Sequence, residues 1–135
     1  MGSQSLEDAV FAAAAGDIAG ADHALARASS EGVAPVQLVR AMLTHLQRLS
    51  QAKAAVAAGS SVGDAAKAMR PPVFFKRVPQ FSRALAIWPA ADLAAVAGRL
   101  REIERSCKTT GVPATELAGN TFLGIAIRAG QLARR

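Results

Sequence analysis

The sequence has no tyrosine, one tryptophan and an aromatic fraction of only 4%. Strands favour β-branched and aromatic residues, and here no alternating run of such residues is long enough to suggest one. Alanine, the strongest helix former, is the largest part of a hydrophobic fraction of 51%. The composition therefore predicts an all-α protein, a compact bundle of six or seven helices that forms a single domain over residues 1–135.

Cysteine and long apolar runs are also scarce. Cys107 is the only cysteine, which excludes an intramolecular disulfide and suggests a reducing compartment. The N-terminal residues lack the basic start and the apolar core of a signal peptide. The apolar runs are far shorter than the roughly 20 residues that span a membrane. These features predict a cytoplasmic protein that does not contact a membrane.

The sequence also lacks the residue patterns of nucleotide-binding, metal-binding and catalytic sites. No glycine-rich loop leads into Lys-Ser or Lys-Thr, as a nucleotide-binding P-loop requires. His23 and His45 stand apart, and each is expected at the surface or at its boundary. Cys107 falls on an apolar seam, which suggests a small core residue. Glu102 and Glu104 are two positions apart and point to different sides of a helix. We expect no enzyme activity, no metal and no cofactor.

Glycines and capping residues predict where the helices begin and end. Ser5 and Ser61 are predicted N-caps, and Gly16 has the position of a C-terminal helix stop. Pro79 indicates either a helix start or a kink. The predicted helices cover approximately 5–15, 17–31, 35–58, 61–69, a segment ending at 88, 90–109, and the C-terminal residues.

The charges are unevenly distributed along a chain with a net charge of +6. Residues 1–32 carry five acidic groups against one arginine, and residues 33–135 carry fifteen basic groups against five acidic groups. Such a division suggests an acidic partner, either nucleic acid or an acidic protein surface. The alternative is that the basic side chains only keep an alanine-rich surface soluble.

Aromatic and basic residues alternate between Arg70 and Trp88, a composition found in proteins that bind single-stranded nucleic acid. The spacing of Phe74, Phe81 and Trp88 is strictly seven residues, as in core positions, so buried rings with solvated cations are the preferred interpretation. If the chain does bind nucleic acid, the candidate phosphate contacts are Lys76, Arg77, Arg83 and Arg99. Arg99 begins a second basic strip that continues through Arg101, Arg105 and Lys108.

The C-terminal helix is apolar on two sides. Leu117, Ile125 and Leu132 form one stripe, Leu123 and Ile127 point nearly the opposite way, and Phe122 lies between. Such a helix is either central to its own fold or covered by another molecule. The candidate subunit-interface residues are Phe122, Leu123, Ile127 and Lys53. Lys53 falls on the apolar side of the third helix, where it either extends along the surface or reaches an acidic partner.

Several segments, taken in order over nearly the whole chain, resemble the C-terminal domain of the delta subunit of bacterial DNA polymerase III, a clamp-loader subunit. They are the Gly16-Asp17 junction, the helix pair that closes at Gly32, the run from Leu46 and Leu49 to Lys53, Pro71-Pro72-Val73-Phe74-Phe75, and Lys108-Thr109-Thr110-Gly111. Each motif alone is weak, and their order and spacing carry the resemblance.

The resemblance implies a helical collar domain, which joins delta to the other loader subunits in a ring. It implies that two preceding domains of the family, the first of which binds the sliding clamp, lie outside this sequence. It also implies that the parent subunit belongs to the polymerase holoenzyme without a working ATPase site, and that DNA is contacted weakly or only within the assembled complex. The alternative function is a stand-alone, basic helical module that binds nucleic acid.

Overall fold

The computed structural model describes residues 2–135, and no strand occurs among them. The elements are α1 (Gly2–Ala14), α2 (Ile18–Ser30), α3 (Pro35–Ala57), α4 (Val62–Lys67), a 3-10 turn (Phe75–Arg77), α5 (Val78–Ile87), α6 (Ala90–Cys107) and α7 (Ala114–Ala133). The prediction of a compact all-α bundle with up to seven helices is confirmed.

Local chemistry explains most helix boundaries. The carboxylate of Asp17 accepts a 2.9 Å hydrogen bond from the backbone N–H of Gly20, and the Ser61 hydroxyl accepts one of 3.0 Å from Asp64. Each bond satisfies a backbone donor that has no partner inside its helix. Pro79 lies in the first turn of α5, where the missing proline N–H costs nothing. The helix-start interpretation of this proline is therefore confirmed.

The predicted cap of the first helix is wrong. α1 already begins at Gly2, so Ser5 lies inside the helix with its side chain buried. The other end of α1 is as predicted, because Gly16 adopts φ 85° directly after the helix. This left-handed conformation is the usual way to end a helix, and glycine adopts it without a steric penalty.

Two helices occupy the centre of the bundle. α7 contacts α1, α2, α3, α5 and α6, so the apolar C-terminal helix is central to its own fold. In α1, the consecutive residues 9–14, together with Ala15, are all buried. A helix that is apolar on all sides must be surrounded. The largest fully buried side chains of the core are Trp88, Phe81, Phe122, Met42, Leu46 and Leu49.

Ion pairs join neighbouring helices at the surface of the core. Arg128 of α7 donates to Asp92 of α6 at 2.7 Å, and Arg40 of α3 donates to Glu104 of α6 at 3.2 Å. Glu104 also pairs with Lys108 at 3.2 Å. None of the helices within residues 2–135 has both the length and the apolar character needed to cross a bilayer.

Candidate docking surfaces

A groove of about 320 Å³ runs between α2, the start of α3 and α7. Its apolar lining includes Leu25, Ala26, Leu38 and Leu123, and the carboxylates of Asp22 and Glu116 lie at its edge. The groove therefore combines an apolar floor with an acidic rim.

The surface of the groove continues along α2 and α7, because these two helices pack side by side. The Cα of Gly16 approaches α7 so closely that an added Cβ would lie 3.2 Å from the backbone nitrogen of Gly130. At the other end, Ser29 and Glu116 line the groove together. The two helices thus run antiparallel. The same register places Ile18 and Ile127 at one level, and their side chains are 45% and 47% exposed.

We call this surface the α2–α7 face, which consists of Ile18, Asp22, Glu116, Leu123 and Ile127. Ile18 was not among the interface candidates identified from the sequence. One feature of the sequence could have placed Ile18 on this surface. Ile18 and Asp22 are four residues apart, as Leu123 and Ile127 are, and residues four apart lie on the same face of a helix.

The predicted interface residues separate into two groups. Ile127 is exposed, and Leu123 is half-buried against the core, so both are accessible from the α2–α7 face. Phe122 is fully buried, like Ile125 three residues later. Its assignment to an interface was wrong, because one helical step of about 100° turns its ring from the Leu123 side into the core.

The side chain of Lys53 makes a hydrogen bond within its own fold. Its ammonium group donates a 3.0 Å hydrogen bond to the carbonyl oxygen of Leu85, near the C-terminal end of α5. A cation is favoured there by the partial negative charge of the last helical carbonyls. The structure therefore agrees with the interpretation in which this side chain lies along the surface of its own fold.

Two of the four candidate phosphate contacts also have partners within the fold. Arg77 pairs with Asp8 at 2.6 Å, and its guanidinium carbon lies 5.1 Å from the ring centroid of Phe11. The Nε–H of Arg83 donates to the carbonyl oxygen of Ala15 at 3.1 Å. Lys76 and Arg99 are exposed. These four side chains therefore do not form a continuous track of free cations.

Asp8 holds three segments together. Its carboxylate accepts hydrogen bonds from Arg77, the last residue of the 3-10 turn, at 2.6 Å, and from Arg27 of α2, at 2.9 Å. Burial by itself would raise the pKa of Asp8, but the bonds from these two guanidinium groups outweigh burial, and the pKa lies below its ordinary value. The carboxylate therefore stays charged and anchors the 3-10 turn to α1 and α2.

The segment before α5 exposes two adjacent rings. Phe74 is 56% exposed and Phe75 is 71% exposed, and their centroids are 4.9 Å apart at an interplanar angle of 61°. The prediction that Phe74 belongs to the core is wrong, although Phe81 and Trp88 are fully buried as expected. Phe74 precedes the 3-10 turn and lies outside α5, so its seven-residue spacing from Phe81 does not put it on the same helix face.

A cavity of about 610 Å³ lies on the Phe74 side of this pair, and Phe74 forms part of its lining. We define the Phe74–Phe75 surface as the two rings together with the cavity, whose lining includes Phe11, Arg48, Val73, Lys76 and Glu7. Arg48 donates to the carbonyl oxygen of Pro71, and this contact ties the proline segment to α3.

His45 lies beneath this cavity and was wrongly expected at the surface. It is 4% exposed, and its ring centroid is 4.4 Å from that of Phe11 and 5.7 Å from that of Phe81. Burial, with a smaller contribution from the charge of Arg48, lowers its pKa to about 3. The imidazole is therefore neutral and acts as a core ring. The other histidine, His23, is exposed as predicted.

Cys107 packs against the edge of the core. Burial, and secondarily the charge of Glu104, raise the pKa of its thiol, which keeps the unreactive protonated form. Within the described part of the chain, no three His, Cys, Asp or Glu side chains come together as a metal site would require.

Comparison of the chain with protein-family models, with curated proteins and with solved structures gives no match. The resemblance to the delta subunit therefore rests on the ordered motifs quoted above.

Proposed function

We propose that this chain is the subunit-assembly (collar) module of a bacterial DNA polymerase III clamp loader. It joins delta to the other loader subunits in the cytoplasm, and so supports DNA replication without chemistry of its own. The ordered motifs of the delta C-terminal domain support this proposal, and an all-helical bundle is the fold that the resemblance implies.

The α2–α7 face is the observation that carries the proposal. Ile18 and Ile127 are exposed although the bundle has a complete core without them. An apolar centre with a charged rim is the usual construction of a protein–protein interface, and Asp22 and Glu116 supply such a rim. The face therefore suits a partner surface that is apolar at its centre and basic around it.

Stand-alone nucleic-acid binding has weaker support. Arg77 and Arg83 make their hydrogen bonds inside the fold, and a phosphate-binding track needs several free cations. Weak DNA binding, or DNA contact only within the assembled loader, is consistent with this distribution.

Binding to purified clamp-loader subunits of the same bacterium tests the proposal. Ile127→Glu places a charge in the α2–α7 face, and we expect at least tenfold weaker binding to one subunit with an unchanged melting temperature. Ala94→Glu adds the same charge at an exposed position of α6 and should bind as the wild type does. A wild-type chain that binds no loader subunit would refute the function. Wild-type affinity of Ile127→Glu would instead refute this location of the interface.

A further inference from the structure

We infer that the Phe74–Phe75 surface is a second docking site, which takes an acidic, apolar segment of a loader subunit other than the one bound at the α2–α7 face. The inference rests on the proposed function, because a member of a closed ring of different subunits has a neighbour on each side. Such head-to-tail contacts use two different surfaces of each member.

The two rings are exposed, and the chain on both sides of them is anchored to the fold. Phe74 and Phe75 are two of the four exposed large hydrophobic side chains among the described residues. Asp8 fixes the following turn through Arg77, and the Pro71 carbonyl accepts from Arg48 on the preceding side. Rings that are already ordered lose little conformational entropy when a partner covers them.

The cavity beside the rings has room for part of the partner. Its volume of about 610 Å³ lies within the usual range of ligand pockets, about 300–1,000 Å³. Phe11 and Val73 contribute apolar lining, and Phe74 forms part of the wall. The cavity therefore offers a mixed lining, in which an apolar wall lies beside charged side chains.

The charges around the cavity favour an acidic segment as its occupant. Lys76 and Arg48 line the cavity, with Glu7 as its one acidic lining residue. Lys76 is exposed at this surface. A carboxylate placed in the cavity would pair with its ammonium group, and hydrogen bonds between charged partners are stronger than neutral ones.

The ring geometry favours a protein segment over single-stranded nucleic acid. Bases stack on open ring faces beside a row of phosphate-binding cations. Here the two rings pack edge to face, and the Lys76 ammonium lies 5.9 Å from the centroid of the Phe75 ring. The neighbouring Arg77 is bound to Asp8. No continuous row of free phosphate-binding cations therefore lies beside the rings.

The experiment measures the affinity of the chain for each purified loader subunit and for a fluorescent oligothymidylate, and sedimentation velocity measures its self-association. The double variant Phe74→Ser/Phe75→Ser removes the rings, and Lys76→Glu reverses the charge beside them. Lys67→Glu is the matched control, because Lys67 is an exposed cation of α4 that does not line the cavity. Circular dichroism verifies that each variant is folded.

We expect the double variant and Lys76→Glu to bind one subunit at least tenfold more weakly and to keep wild-type affinity for the subunit that Ile127→Glu affects. Lys67→Glu should bind both as the wild type does. Wild-type affinity of the double variant for every subunit would overturn the inference while leaving the proposed function standing. Loss of oligothymidylate binding alone, or loss of self-association alone, would also overturn it, by identifying nucleic acid or a second copy as the occupant.

Discussion

The indole Nε1–H of Trp88 donates a 2.8 Å hydrogen bond to the carbonyl oxygen of Ala14, the last residue of α1. Both residues are completely buried. The last four carbonyl groups of a helix have no partner within it, and water cannot reach this one. The residue that follows α5 therefore completes the hydrogen bonding of α1 at the centre of the bundle.

Replacing Trp88 by phenylalanine should lower the free energy of unfolding by about 2–4 kcal/mol. The loss has two parts, a buried carbonyl without a donor and a cavity where the larger ring was. Urea denaturation followed by circular dichroism measures it. Phe75→Leu changes an exposed ring and should stay within about 0.5 kcal/mol of the wild type. A loss below about 1 kcal/mol for Trp88→Phe would contradict this account of the hydrogen bond.

Gly16 and Gly32 form a matched pair for a second prediction. Both follow a helix, with φ of 85° and 87°, but only at Gly16 would a Cβ meet neighbouring backbone, at 3.2 Å from the Gly130 nitrogen. Gly32→Ala should cost about 1–2 kcal/mol from the left-handed backbone alone. Gly16→Ala should cost at least about 1 kcal/mol more, because the junction between α1 and α2 must move away from α7. Equal losses in urea denaturation would show that the helix contact tolerates a methyl group.

The features that the sequence predicts correctly depend on neighbouring residues in the chain. Asp17, Ser61 and Pro79 act within one helical turn, so cap and helix-start chemistry is readable without the rest of the fold. The same is true of Gly16, whose backbone conformation is a local property.

The wrong predictions depend on contacts between distant parts of the chain. His45 is buried because Phe11 and Phe81 surround it, and neither contact follows from the polarity of histidine. Phe74 is exposed because the chain turns between it and α5, although its spacing suits a helix.

The candidate docking surface was partly predictable. Periodicity correctly separated Leu123 and Ile127 from the inward stripe of the last helix. It could not show that Phe122 turns into the core, or that Ile18 of α2 joins Ile127, since both depend on how α2 and α7 pack.

The buried imidazole of His45 makes stability depend on pH in a defined window. Its pKa is about 3 in the folded protein and about 6.5 in the unfolded chain. Between these values the unfolded chain binds a proton that the folded protein does not, so stability falls as the pH is lowered. The lowered pKa of Asp8 also makes stability fall as the pH is lowered, but only near and below the ordinary carboxyl pKa of about 4.

Between pH 6.5 and pH 5, the wild type should therefore lose about 1–2 kcal/mol of unfolding free energy through His45. His45→Leu keeps an apolar side chain between Phe11 and Phe81 and removes the titrating group, so most of this loss should disappear. His23→Gln removes the exposed histidine and should leave the wild-type slope in place. Urea denaturation at pH 5, 5.5, 6 and 6.5 measures the slopes. If His45→Leu retained the wild-type slope, another group would be responsible for the pH dependence, since the imidazole would then take up its proton equally in the folded and unfolded states.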